Sequence, residues 1–196
     1  MAEEGQSASP RPLRADASRN RARLIEVAKA MFSEGGTDVG LESIAKMAGV
    51  GIGTLYRHFP TRDKLIEAVY RTELQSLVDA APKFLEALTP VEALRAWLRL
   101  FVDYIATKQV MSPVLASMVC GTSELYAESG ELVKATIGLL VDHAVAAGAI
   151  SLDIEPLDLL RALAGVAGIS SAPGWEASAK RLVDILIAGV QVPPEP

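Results

Sequence analysis

Thr54, Tyr56, Arg57, His58 and Lys64 stand close together in the chain and could grip a polyanion. Hydroxyl, phenol, guanidinium, imidazolium and ammonium groups all donate hydrogen bonds. Phosphate oxygens only accept them, and charged donors bind them most strongly. Taken singly, each residue has a plainer explanation. Tyr56 could be a half-buried aromatic, and Arg57 and His58 could be solvated cations at a helix C-terminus, where the macrodipole favours them. Lys64 could be an ordinary surface lysine. At this spacing and together, they suit a helix lying in a DNA groove.

The stretch that must position them is LESIAKMAGVGIGTLYRHFPTRDK, Leu41 to Lys64. Leu41, Ile44, Ala45 and Ala48 fall on one face of a short helix. Gly49-Val50-Gly51 breaks it, and a second short helix follows with Ile52, Leu55 and Phe59 turned inward. Pro60 disfavours helix at Phe59, and Thr61 can cap the next helix, whose buried side carries Leu65, Ile66, Val69 and Tyr70. Upstream, Leu24, Ile25, Ala28, Met31 and Phe32 define a helix from about Ser18 to Gly35-Gly36. Two short helices joined by a glycine turn are the sequence form of a helix-turn-helix. Gly53 and Thr54 are small enough to let the second helix approach the groove.

The rest of the chain is helical too. Pro82 should bend or split the helix that follows Thr61. Thr89-Pro90-Val91-Glu92 is a helix start, for a helix running to about Gln109. Ser112-Pro113 opens another. Further helices span about Glu131 to Ala147, Pro156 to Ile169 and Trp175 to Val190. Alternating polar and apolar runs are absent, so the expected class is all-α, with about nine helices. The expected organisation is a disordered tail over 1–17, a helix-turn-helix domain over 18–72 and a second helical domain over 73–192.

Composition sets the other bounds. The chain has 196 residues and a net charge of −5. Residues 1–72 carry 11 Lys+Arg against 9 Asp+Glu, whereas residues 73–196 carry 8 against 15. A mildly basic N-terminal third therefore sits on an acidic remainder. Hydrophobic residues make up 50% of the chain and mean hydropathy is +0.27, a surplus that suits an interface or cavity as well as a plain core. No apolar run is long enough to span a membrane, and Met1 to Asn20 lacks a signal-peptide core. The single cysteine, Cys120, excludes an intrachain disulfide framework, so a cytoplasmic location is expected. There is no HExxH and no Cys/His cluster, so no metal or cofactor is expected.

Ile44-Ala45, Ala48-Gly49-Val50, Gly53-Thr54-Leu55-Tyr56, His58-Phe59 and Lys64-Leu65 together resemble the DNA-binding domain of the TetR family of transcriptional repressors. The resemblance covers roughly Arg19 to Tyr70. It implies that Tyr56 and His58 contact phosphates, that Thr54 sits at the groove, and that Lys64 binds a phosphate beside a helix N-terminus. The charge of Arg57 should add phosphate grip or base contact, and Ser43 and Gly51 are expected nearest the DNA. Gly40 stands where many members carry a capping threonine. Ile52 stands where a polar residue often opens the recognition helix, which shifts specificity towards shape and phosphate contacts.

The resemblance further implies a C-terminal domain that binds a small-molecule effector and dimerises. Pocket candidates are Trp97, Phe101, Tyr104, Met111, Met118, Cys120 and His143, with Asp103 as a further polar group; packed core is the alternative for each. Dimer candidates are Leu160, Ala164 and Gly168 on the nearly all-apolar helix after Pro156, and Leu182 and Leu186 on the last helix. Burial within one subunit is the alternative there. The expected function is a repressor that binds a palindromic operator in double-stranded DNA as a homodimer and is released by the effector. An enzyme is the competing class, but the chain has no GxSxG and no phosphate-binding glycine loop. A ligand-binding or interaction module without DNA binding is the third.

Overall fold

Helix is the regular structure these residues build. The computed structural model describes residues 11–35, 38–117, 122–169 and 174–192. Among them are eight helices: α1 (Arg11–Gly35), α2 (Leu41–Met47), α3 (Ile52–His58), α4 (Arg62–Ala87), α5 (Pro90–Ser117), α6 (Thr122–Ala146), α7 (Pro156–Ile169) and α8 (Trp175–Val190). Among the described residues the one β-type pairing is an isolated antiparallel bridge between Ile150 and Gln191. There the Ser151 N–H donates to the Val190 carbonyl at 2.8 Å and the Val192 N–H to the Ala149 carbonyl at 3.1 Å. The all-α expectation holds, with eight helices where about nine were expected.

The difference comes from helices that run further than their apolar pattern. α5 continues through the expected break at Gln109–Ser112, and α6 begins at Thr122 rather than near Glu131. Pro82 lies within α4, which runs on to Ala87. A proline removes one backbone donor, and Pro82 is exposed. At the other end, α1 starts at Arg11, so residues 11–17 are helix and not disordered tail; residues 1–10 lie outside the described residues. Helix-forming Ala15, Ala17 and Arg19 favour this extension, and Arg19 pairs with Asp16 one turn back. Ala15 to Arg19 are exposed, so an exposed extension of this kind shows no apolar stripe to find.

The chain divides into two compact units, Met1–Val69 and Tyr70–Pro196. In the first, α1 contributes buried Leu24, Ile25, Ala28 and Phe32, α2 contributes Ile44 and Ala45, and α3 contributes Leu55, followed by Phe59. The first turns of α4 add Leu65, Ile66, Ala68 and Val69. The second unit centres on Trp97, which is fully buried and donates its indole N–H to the Leu77 carbonyl at 2.8 Å. Its ring stacks on Phe101, centroids 5.9 Å apart. α8 buries Trp175, Ala179, Val183 and Ile187, a strict i, i+4 stripe that a helix aligns on one face. Its other edges pair with α5: Arg99 with Asp184 at 2.8 Å and Lys180 with Asp103 at 2.6 Å.

Candidate functional site

The turn between α2 and α3 sets the geometry of the N-terminal site. Ala48 caps α2, and the chain then bends through Gly49 at φ 66°. The Val50 N–H closes onto the Ala45 carbonyl at 3.0 Å and the Gly49 N–H onto the Lys46 carbonyl at 3.1 Å. This is the wrapped helix end that glycine reaches without a Cβ penalty. Gly40 and Gly51 are the N-caps of α2 and α3, and neither helix has a side-chain cap.

α3 then divides its residues sharply. Leu55 is fully buried and Phe59, just after the helix, is 2% exposed. Tyr56 and Arg57 are exposed, and Thr54 and His58 are half-buried. The Arg57 Nε donates to the Gly53 carbonyl at 3.2 Å, which lays its stem along α3. The His58 ring lies 6.2 Å from the Phe59 ring, centroid to centroid. Ile52 is 38% exposed, which corrects the expectation that it turns inward with Leu55 and Phe59. It is the first residue of α3 and its side chain precedes the buried stripe. Ser43 on α2 and Gly51 in the turn are exposed.

Lys64 sits in the first turn of α4. Thr61 caps that turn, its Oγ1 accepting the Lys64 N–H at 3.2 Å. The Lys64 Nζ pairs with Glu67 Oε2 at 2.8 Å on the surface. Two arginines that the sequence did not single out brace the unit. Arg62 donates to the Val39 carbonyl at 2.7 Å and lies over the Phe32 ring, 5.9 Å from its centroid. Arg21 lies over the Phe59 ring at 5.3 Å. These cation–π contacts tie the start of α4 and the end of α3 to α1. Their signal was weak, because arginines beside a helix-turn-helix suggest DNA contact before bracing.

In the second unit, α5, α6 and α7 line a cavity of about 420 Å³ that is open to solvent, within the size range of small-molecule sites. α5 lines it with Phe101, Tyr104, Ile105, Lys108, Gln109 and Ser112; α6 with Ser129, Gly130 and Val133; α7 with Leu157, Leu160, Arg161 and Ala164. Of the sequence candidates, Phe101 and Tyr104 are in the wall, and the Tyr104 hydroxyl meets the Tyr70 hydroxyl at 2.9 Å. Trp97 and Met111 are packed core instead, 0% and 1% exposed. Asp103, one residue off the stripe, points to α8 and Lys180. His143 is exposed in the last turn of α6, away from the wall. Met118 and Cys120 lie outside the described residues. The missed residues Lys108 and Ser112 continue the stripe of Phe101, Tyr104 and Ile105 at helical spacing. Polar residues extending an apolar stripe were the available signal.

The dimer candidates separate in a similar way. Leu160 is 3% exposed and faces the cavity, so it is inward-facing, because α7 must cover that cavity with its larger side chains. Ala164 and Gly168 are exposed, and Leu182 and Leu186 are half-buried. The most exposed large apolar side chain of α8 is Ile185, at 66%.

Comparison with known proteins follows the same division. A family model described as "Bacterial regulatory proteins, tetR family" matches residues 24–69. A second, described as "Transcriptional regulator SbtR-like, C-terminal domain", matches residues 89–192. A crystal structure of a TetR transcriptional regulator from Streptomyces coelicolor is 45% identical, covers 89% of this chain and 99% of that one, and superposes with a TM-score of 0.79. A TetR transcription regulatory protein from Mycobacterium vanbaalenii is 34% identical, with 92% and 100% covered and a TM-score of 0.76. Among curated proteins, an HTH-type transcriptional regulator of Staphylococcus aureus is 39% identical over 67 residues, 34% of this chain. The match spans only about a third of that relative, 36% of its length. Among the described residues no helix is long and apolar enough to cross a membrane, and no cluster of three metal-ligating side chains occurs. The chain belongs to the TetR family of transcriptional regulators, and is a DNA-binding regulator rather than an enzyme.

Proposed function

We propose that the protein represses transcription by binding a palindromic operator as a homodimer, and that a small molecule in the α5–α6–α7 cavity releases it. The observation that carries the DNA-binding half is the division of α3: Leu55 is locked inside while Tyr56 and Arg57 stand exposed. Tyr56, His58 and Lys64 then hold phosphates, Arg57 and Thr54 lie at the groove, and Ser43 and Gly51 lie beside the backbone. Exposed Ile52 makes an apolar contact at the major groove, of the kind a thymine methyl accepts. The two half-sites stand about one helical turn apart, ~34 Å.

Exposed Ile185 on α8 and the small exposed residues Ala162, Gly165 and Gly168 on α7 support the homodimer. Small residues let helices approach closely, and a large apolar side chain left in water favours burial against a second copy. The cavity supports the effector. The effector acts only if it binds the DNA-competent and incompetent states with different affinity.

Purified protein tests this with DNA from upstream of its own gene and its neighbours. It should retard a specific fragment, protect two related half-sites and lose affinity steeply as salt rises. Failure to bind any upstream fragment at low salt, with or without cell extract, would overturn it. An activator role would show as increased transcription from the bound promoter.

A further inference from the structure

Gly53 is a residue that the packing of its own unit does not call for. It lies inside α3, a helix of seven residues without a side-chain cap. Glycine weakens a helix interior relative to alanine. Its φ is not positive, so the backbone there suits any residue. An added Cβ would meet no atom of the described residues within 4 Å beyond its own stretch of helix. Gly51 is equally open, but it is the N-cap, where glycine is an ordinary choice. Among the described residues nothing asks for a bare backbone at Gly53, whereas a surface pressed against it from outside would.

Openness alone decides little, since Gly138 and Gly165 are as open; the neighbours of Gly53 on α3 decide more. The exposed residues of α3 are Ile52, Gly53, Tyr56 and Arg57. Ile52 and Tyr56 stand one above the other at i, i+4, 38% and 45% exposed. Arg57 lies one turn beyond Gly53, and its Nε donates to the Gly53 carbonyl at 3.2 Å. The arginine thus folds back along the helix instead of standing out from it. A single exposed isoleucine needs no explanation, but one beside a bare backbone on a DNA-binding helix does. Ile52 cannot hydrogen-bond, so against the donors and acceptors of G, C or A it would leave polar edges unpaired at a cost. The thymine C5-methyl is the apolar feature of the major groove.

We infer that α3 touches the floor of the major groove at Gly53, and that this contact seats Ile52 on the methyl group of a thymine in each half-site. This rests on the reading of α3 as the helix in the groove. The missing side chain brings the helix axis closer to the base pairs, so the short branched side chain of Ile52 reaches their edges. Ile52 is then a specificity residue, and Gly53 a positioning residue that acts through it.

The test uses the full-length protein and duplexes that it selects from a randomised DNA pool at low salt, with affinity read by fluorescence anisotropy. In a selected duplex each symmetric pair of thymines is replaced by uracil, which pairs with adenine in the same way but lacks the methyl. One pair should weaken wild-type binding by about fourfold per half-site, or ~15-fold over both, the scale of one buried methyl group. Ile52→Ala should bind the thymine and uracil duplexes equally. Gly53→Ala should raise the melting temperature by about 1–4 °C, yet weaken binding of the thymine duplex at least about tenfold and shrink the uracil penalty. A Gly53→Ala variant that binds as tightly as wild type, or that melts lower, overturns the inference. So does the lack of a uracil-sensitive pair, or a sensitivity that survives Ile52→Ala. Each of these results leaves DNA binding by the protein standing, because the duplexes were selected by it. Failure to select any duplex overturns the DNA-binding reading and the inference with it.

Discussion

Replacing Lys64 with alanine separates DNA grip from folding, because the side chain is 63% exposed and its ion-pair partner is Glu67 on the same helix, one turn away. Two opposing terms set the effect. A charge-assisted contact to a phosphate is worth about 1.5–3 kcal/mol. Releasing Lys64 from an exposed pair with Glu67 offsets roughly 0–1 kcal/mol of that. The net loss is then about 0.5–3 kcal/mol per half-site, and a dimer loses it twice. The middle of that range, about 3.5 kcal/mol over two half-sites, weakens operator affinity by roughly 300-fold. The salt dependence is sharper still. Each phosphate contact contributes about 0.9 to the slope of log affinity against log salt, so losing two makes the slope shallower by about 1.8. Stability should stay within about 0.5 kcal/mol of wild type, as for other surface changes. Fluorescence anisotropy on a labelled operator at several salt concentrations, beside a thermal melt, reads all three quantities. If affinity falls with the salt slope unchanged, Lys64 is not neutralising phosphate. If the melting temperature falls in parallel with affinity, its role is structural.

Further outcomes follow from other contacts. Gly49→Ala places a Cβ at φ 66° and should cost about 1 kcal/mol, visible in a urea melt, with DNA affinity lowered through the tilt of α3. Trp97→Phe removes the 2.8 Å bond to the Leu77 carbonyl and part of a buried side chain. It should destabilise the protein by about 1–3 kcal/mol without altering the intrinsic salt slope of operator binding. Asp184→Asn removes the charge shared by Arg99 at 2.8 Å and Arg95 at 3.6 Å. Both pairs are partly exposed, so a loss of no more than about 1 kcal/mol is expected on thermal unfolding. Ile185→Arg should shift the protein towards monomer in sedimentation or light scattering while its helical circular dichroism is retained. A fully dimeric Ile185→Arg would place the interface elsewhere.

The two sites differ in how far the sequence discloses them, and the difference is geometric. The residues of the N-terminal site lie within one short stretch, so local rules are enough. Glycine at the turn, an i, i+4 pair in Leu55 and Phe59, and a cap at Thr61 place every exposed donor before any tertiary contact is considered. Ile52 escaped those rules because a position in the first turn has no preceding turn to fold against. The cavity is assembled from three helices, and its wall depends on the rotation of each about its own axis. A shift of one residue turns a helical side chain by about 100°, enough to send Asp103 to Lys180 on α8 while Tyr104 faces the cavity. Composition could say that aromatic and polar groups were plentiful between Phe84 and Tyr126, but not which of them share a face with α6 and α7. The same reasoning governs α7. Its apolar residues all looked available for a partner, yet covering the cavity claims Leu157 and Leu160 and leaves Ala162, Gly165 and Gly168 outside. Apart from Arg161, the exposed side chains of α7 are therefore its smallest. Affinity between two copies must then come from close backbone approach and from the few large groups nearby, which places the weight of the proposed dimer on Ile185.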